Sequence, residues 1–358
     1  MAKIVSLGSA LQDIFLIDDQ AFIGCGHSHE EKSLKIISAK EIEERKLAEQ
    51  TAGARKLPKN SMKFVPVGEL FKNLTIGTKV GVKNIWFDVG GGATNSAVTF
   101  ARHGHEAVFV GKIGHDIAGE AVLDCLDREG IDSSYITYTR RKATGCSIIL
   151  TDQNTGERTI LTHRGASEDF DNLDEKILDK IRPDWMYITT LHGDFNTCER
   201  FFVRAKELGV KIMMNPGSPP KNRVAKALRL MKYVDILLVN KREAGIYVPG
   251  TVLPELMSHL RNYVPTVIIT AGQMGAMASS PEETYRMGIY EDLKVVDTTG
   301  AGDAFGSGFL AHYAAGKSFR QSLIFGAANS TSVVTKLGAK AGILTGKEKL
   351  HPMVIQRV

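Results

Sequence analysis

The chain is poor in the features that mark secreted, membrane-spanning or nucleic-acid-binding proteins. It has 4 cysteines in 358 residues, Cys25, Cys125, Cys146 and Cys198. They are scattered without paired spacing, so reduced thiols are expected and a disulfide framework is not. No stretch reaches the ~18 consecutive apolar residues of a membrane span. At the N-terminus, Gln12 and Asp13 interrupt the apolar start before a signal-peptide core can form. A soluble, cytoplasmic protein without a membrane partner is expected. Neither charge sign is concentrated: 45 Lys and Arg against 40 Asp and Glu leave a net charge of +5 with no long basic block. Nucleic acid is therefore not implied, whereas a small anionic ligand is compatible. Internal repeats and low-complexity tracts are absent, and with 43% hydrophobic and 24% charged residues the disordered and fibrous classes are excluded.

What is present is a rhythm. Short β-branched runs alternate with amphipathic stretches, the pattern of βαβ units and of a mostly parallel sheet flanked by helices. Strands are predicted at Ile4 to Gly8, Ala107 to Val110, Met186 to Thr190, Lys211 to Asn215, Ile236 to Asn240 and Val267 to Thr270. Helices are predicted at Thr94 to His103, Asp116 to Glu129, Thr197 to Leu208, Val252 to Tyr263, Gly302 to Ala315 and Ser318 to Lys336. Gly104, Gly130, Gly209 and Gly316 stand where C-terminal caps belong. Two segments break the rhythm. Residues 18 to 88 hold a charged, helix-prone patch and then β-like pieces near Phe64 to Val67 and Ile85 to Phe87. Tyr135 to His163 reads as consecutive strands, with a hairpin turn at 152 to 157. A single domain over 1–358 is expected, its α/β core interrupted by lid segments at about 14–88 and 135–165 that form a small β-sheet.

The strongest local signal is AspThrThrGlyAlaGlyAsp at 297 to 303, a glycine turn that enters a long helix directly after a strand-like run. Successive N–H groups at such a turn, at the positive end of a helix, suit a phosphate. A carboxylate at Asp303 is odd beside an anion unless it accepts a proton; the alternative is that it merely caps the helix. A second loop, GlyGlyGlyAlaThrAsn at 90 to 95, allows close backbone approach to a ligand and offers the Asn95 amide to hydroxyls. Taken alone it could equally be a flexible strand-to-helix turn. Asp13 would supply a further hydroxyl acceptor.

Other motifs fail. Gly316, Lys317 and Ser318 mimic the end of a Walker loop, but Ala311 replaces the required glycine and a helix precedes, so they read as a helix cap. No GxGxxG follows the first strand, which leaves dinucleotide binding without support. Cys25, His27 and His29 lack a fourth metal ligand at a recognisable spacing. His192 and Asp194 read as a polar strand end more readily than as an acid/base pair.

These pieces together resemble the PfkB-type carbohydrate kinases of the ribokinase-like superfamily. In the family's order stand GlySerAlaLeuGlnAsp at 8–13, GlyGlyGlyAlaThrAsn at 90–95, GlyLysIleGlyHisAspIleAlaGly at 111–119, GlyGluArgThrIleLeuThrHisArgGlyAla at 156–166, AsnLysArgGlu at 240–243, ThrAlaGlyGlnMetGly at 270–275 and the 297–303 loop. The resemblance implies a Rossmann-like central sheet, with ATP and a sugar bound along one edge of it and a β lid closing over the sugar. It makes Asp303 the base, with Gly300, Ala301 and Gly302 as the anion hole for the transferring phosphoryl group. Asp13, Gly91, Gly92 and Asn95 would hold sugar hydroxyls. Asn215, Thr270, Gly272 and Gly275 would serve ATP, and Asn240 and Glu243 would organise Mg2+ through water. Asp297 and Thr299 leave room for K+ activation. The chain departs from the family at Ala327, where members often place Asn or His against the adenine, and at Gly342, where ribokinases have a serine near a monovalent cation.

The expected activity is ATP-dependent phosphorylation of a sugar or sugar-like hydroxyl. Its rivals are a nucleoside or phosphosugar kinase of the same family, to which Arg164 could contribute a phosphate contact, and a catalytically silent sugar or nucleotide sensor. An intact Asp303 speaks against the sensor. Lid strands with open edges and an apolar face point to a homodimer formed through the lid.

Overall fold

The computed structural model describes residues 1–17, 84–151, 158–168, 170, 173–189, 195–219, 221–290 and 293–358. Its strands are β1 (Lys3–Leu7), β2 (Leu11–Ile17), β3 (Asn84–Gly90), β4 (Glu106–Gly114), β5 (Asp132–Thr139), β6 (Gly145–Thr151), β7 (Arg158–His163), β8 (Trp185–Ile188), β9 (Lys211–Met214), β10 (Ile236–Asn240), β11 (Thr266–Thr270), β12 (Ala276–Ser279), β13 (Thr284–Met287) and β14 (Ile355–Arg357). Ten of them form one sheet in the order β14-β13-β12-β11-β10-β9-β8-β1-β4-β5. From β11 to β5 all neighbours are parallel. At the other edge β12, β13 and β14 are added antiparallel.

Apart from the edge strand β5, the parallel strands are buried on both faces, and period-two alternation sorts their side chains between two cores. Ile4, Phe109, Leu238 and Ile268 enter one core; Val5, Val108, Leu237, Val239 and Ile269 enter the other. The first core is closed by α1 (Gly92–Arg102), α2 (Ile117–Arg128), α8 (Ala301–Ala314) and α9 (Phe319–Val334), through Phe100, Leu126, Phe305 and Leu323. The second is closed by α3 (Ile177–Ile181), α4 (Phe195–Glu207), α5 (Val224–Leu230), α6 (Lys241–Tyr247) and α7 (Leu253–Leu260). The expected caps are in place: Gly104, Gly130, Gly209 and Gly316 all take the left-handed conformation. Ser318 caps α9 in a reciprocal pair with Gln321, so the Walker-like tripeptide is a helix stop followed by a helix start.

One part of the expected lid belongs elsewhere. Asp132–Thr139 is not in the small sheet but is the parallel edge strand β5, paired along β4 from Val108 to Gly114. The link from α2 through Gly130 is a βαβ crossover, and such a crossover delivers a strand to the same sheet. The small antiparallel sheet has the order β3-β2-β6-β7. The chain divides into two compact units: Met1–Asp13, Asp88–Ser147 and Leu161–Val358 form one, and Ile14–Phe87 with Ile148–Ile160 the other. In the second unit Ile85, Trp86, Phe87, Ile148 and Ile160 are exposed. The β-like piece at Phe64 to Val67, the charged segment 28–60 and the turn at 152–157 lie outside the described residues. Cys125, Cys146 and Cys198 form no disulfide. Among the described residues no helix is long and apolar enough to cross a membrane.

Candidate active site

In a parallel sheet, ligand sites form beyond the carboxyl ends of the strands, and the candidate residues gather there. Asn215, Asn240 and Thr270 end or follow the adjacent strands β9, β10 and β11. Three successive glycines, Gly90 to Gly92, run from the end of β3 into α1 and pack closely on their neighbours. A Cβ on Gly90 would lie 1.9 Å from Asp13 Oδ2. Gly91 has φ +101°, and a Cβ there would lie 2.4 Å from the Ser9 carbonyl. On Gly92 it would meet Thr189 Cβ at 2.9 Å and Asp303 Oδ1 at 3.1 Å. The glycine turn thus lets Asp13, Ser9, Thr189 and Asp303 crowd around the start of α1, which a larger residue would prevent.

Asn95, buried in the first turn of α1, links Asp303 to Lys340. Its Nδ2 donates to Asp303 Oδ2 at 2.9 Å, and its Oδ1 accepts from Lys340 Nζ at 2.7 Å. Because an ammonium only donates, the amide has one satisfactory orientation. Asp13 is 5% exposed, and burial pushes its pKa up to about 7 against the opposing pull of the Lys340 charge.

Helix α8 begins at Gly300, a left-handed residue (φ +76°) that provides no side-chain cap. The first-turn N–H groups of an uncapped helix are free to bind an anion. A Cβ on Gly302 would meet nothing within 4 Å among the described residues. A Cβ on Gly300 would strike Ala339 Cβ at 2.5 Å, which seats the turn on the Gly338 to Lys340 segment. Asp303 is the third helical residue, and its carboxylate faces Asn95. Burial raises its pKa, while the Asn95 hydrogen bond and the Lys340 charge oppose that rise. A carboxylate so placed, with a raised proton affinity, can take a proton from a hydroxyl brought between it and a phosphate in the helix turn.

Of the candidates for ATP, Thr270 and Gly272 line a cleft of about 530 Å³ together with Asn240 and Met274 among others, whereas Asn215 does not. Gly275 (φ +80°) does not line it. A Cβ there would lie 2.0 Å from the Met287 carbonyl, so Gly275 closes the β11–β12 turn that shapes the cleft. Asn240 and Glu243 form a complete capping box for α6: Asn240 Oδ1 accepts from the Glu243 N–H, and Glu243 Oε2 from the Asn240 N–H. That pairing explains the NxxE spacing locally. Burial also lifts the Glu243 pKa, and the charge of Asp303 adds to the rise, so the two acids sense each other. Among the described residues no group of three or more His, Cys, Asp or Glu is placed to hold a metal ion directly, which leaves contact through water as the mode open to Asn240 and Glu243. Asn215 follows β9, where its N–H donates to the Ile188 carbonyl.

Asp297 is fully buried and accepts from the Thr299 N–H and hydroxyl on one oxygen and from the Gly338 N–H on the other. It ties the glycine turn to the Gly338 segment. A Cβ on Gly342 would lie 2.3 Å from the Ser332 carbonyl, so the backbone here leaves no room for the serine that the resemblance led one to expect. Ala327 is buried in α9. Arg164 is half-exposed, with Glu168 at 3.8 Å. Cys25, His27, His29, His192 and Asp194 lie outside the described residues.

Two residues of this site were not legible as such. Thr189, just past β8, has a buried hydroxyl with no hydrogen-bond partner among the described residues; its signal was a polar residue at the end of a parallel strand. Lys340 is 5% exposed and had no motif to mark it.

Residues 65–345 match the pfkB family carbohydrate kinases. A ribokinase from Staphylococcus aureus is 30% identical over 268 residues, covering 71% of this chain and 84% of its own. A nucleoside kinase from Methanocaldococcus jannaschii is 24% identical, covering 75% and 86% respectively. The structure of Arabidopsis thaliana ribokinase complexed with ribose and ATP aligns over 96% of this chain and 95% of that one, with a TM-score of 0.69 at 20% identity. With the family match running from ahead of the glycine turn to past Lys340, the chain belongs to the pfkB family of carbohydrate kinases.

Proposed function

We propose that the protein transfers the γ-phosphoryl group of ATP to a hydroxyl of a sugar or sugar-like substrate, with Asp303 as the base. The observation that carries this reading is the arrangement at the start of α8. The helix N-terminus has no side-chain cap, and the one carboxylate of its first turn is held by Asn95 instead of capping the helix. In the proposed step the substrate oxygen attacks the γ-phosphorus and its proton passes to Asp303. The new O–P bond forms as the bond from the γ-phosphorus to the β,γ-bridging oxygen breaks, and ADP leaves. The N–H groups of Gly300 to Gly302 oppose the charge on the moving phosphoryl group, a task of positioning and electrostatics more than of covalent help. Asp13 and Asn95 would hold substrate hydroxyls. Asn240 and Glu243 would organise a hydrated Mg2+, which neutralises phosphate charge when bound.

A neutral polyol is preferred over a phosphorylated one, because Asp13 and Asp303 would repel a second phosphate. A nucleoside is the second reading, favoured by the match to the archaeal nucleoside kinase. The test is ATP turnover against panels of free sugars, nucleosides and sugar phosphates, with calorimetric binding in parallel. Turnover of a free sugar is expected. A higher kcat/KM for a sugar phosphate than for every free sugar and nucleoside would reject the neutral-substrate reading, and binding without turnover would indicate a sensor.

A further inference from the structure

Lys340 bonds into this cluster through Asn95, and it is almost wholly enclosed. A buried ammonium is costly unless it is paired and hydrogen-bonded. Its Nζ donates to the Asn95 amide oxygen and to the Val89 carbonyl at the end of β3. Its own backbone carbonyl is held by Arg102 Nη1 at 2.9 Å, while Arg102 also forms an ion pair with Glu129. The residue is therefore clamped at both ends. The segment that carries it is fitted to the phosphate turn, with Gly338 bonded to Asp297 and Ala339 packed under Gly300.

We infer that Lys340 is a positioning residue for phosphoryl transfer: its ammonium fixes the Asn95 amide so that Nδ2 faces Asp303, and it brings a positive charge to the carboxylates of the site. The inference rests on the proposed function for its catalytic meaning, but the Lys340–Asn95–Asp303 chain stands on geometry alone. Without the lysine, the Asn95 amide could turn over at little cost and present its oxygen to the carboxylate, repelling it. The ionisable groups that sense this ammonium come from every side: Asp13 on β2, Cys125 on α2 and Asp303 on α8, with Asp88 on β3 acting on both Asp13 and Cys125. Of these, Asp303 is the one linked to it through a hydrogen-bonded side chain.

The test uses two full-length variants, Lys340→Met, which keeps bulk without charge or donors, and Lys340→Gln, which keeps a donor without charge. Carboxyl titration by NMR with 13C-labelled aspartate, assigned through Asp303→Asn and Asp13→Asn, needs no substrate. The expected result is that Asp303 titrates at least one pH unit higher in both variants. The acidic limb of kcat should move up by a similar amount. Above that limb, Lys340→Met should remain at least tenfold slow, whereas Lys340→Gln should recover most of the rate. Folded variants with Asp303 titration within 0.3 units of wild type and kcat within threefold would overturn the inference. So would failure of both variants to fold, which would assign Lys340 to the fold alone. A wild-type protein that phosphorylates nothing defeats the proposed function, and the titration still decides the role of Lys340.

Discussion

At Asp303 a capping role and a catalytic role lead to different numbers. Asparagine is itself a good capping residue, so Asp303→Asn costs at most ~1 kcal/mol of stability if capping were the whole role. As the base, its loss removes the proton acceptor, and kcat should fall roughly 10²- to 10⁴-fold in a protein whose melting temperature is nearly unchanged. ATP affinity should hold or tighten, because a carboxylate near the γ-phosphate repels it. Kinetics with nucleotide binding and a melting curve on one preparation check all three, and kcat within tenfold of wild type would remove Asp303 from the mechanism. Asp13 offers a second test through pH. Its folded pKa of about 7 lies above the ordinary carboxylate value, so between about pH 4 and 7 the folded state keeps a proton that the unfolded chain has released. That contribution is present below pH 4 and lost as pH rises through 7. Asp13→Asn, neutral at every pH, should match wild-type stability near pH 4 and exceed it above pH 7, by on the order of 1–3 kcal/mol. Wild-type kcat/KM should rise through about pH 7, and the variant should lack that limb.

Among the elements, α6 carries in Asn240 and Glu243 the pair that caps the helix and that the proposed function assigns to Mg2+. Glu243→Gln preserves an oxygen for the Asn240 N–H, so the capping box and the melting temperature should survive. The lost charge should raise the Mg2+ concentration for half-maximal activity about tenfold, read from a Mg2+ titration of ATP turnover. An unchanged Mg2+ requirement would leave Glu243 with the capping role alone. Where α1, α8 and α9 meet, His103 faces His312 at 5.2 Å, and His312 stacks on Phe325 at 3.9 Å. Burial holds both histidines down to about pH 4, and each also feels a neighbouring histidine. Between about pH 6.5 and 4 the unfolded chain binds protons that the folded chain refuses, so stability falls as pH is lowered through that window. Melting temperature against pH should show the decline, and His103→Gln with His312→Gln should flatten it.

For the whole molecule, the fold brings residues more than 200 positions apart into one cluster, as with Asn95 and Asp303. The second unit leaves Ile85, Trp86 and Phe87 exposed on β3, and apolar strand surface of this kind needs cover. A dimer joined there is expected to scatter light as twice 39.1 kDa, and Trp86→Lys should return it to one chain. A wild-type monomer at micromolar concentration would count against that cover.

Local chemistry was enough to determine much of this protein from its sequence. The strand Ile236–Asn240 was legible to the residue, because a β-branched and leucine run ends at an asparagine that starts a helix. Helix ends were legible wherever a glycine must take positive φ, and the glycines of the 297–303 turn marked the start of α8, which has no side-chain cap. Tertiary structure decided what depends on distant partners. Asp132–Thr139 has the alternation of an exposed hairpin strand, and only pairing with β4 places it in the main sheet. Nothing around Lys340 predicts burial, since lysine is the residue type that most readily stays in water. Its enclosure depends on Asn95, Val89 and Arg102, more than 200 residues away, which supply acceptors and a clamp that no local pattern can encode.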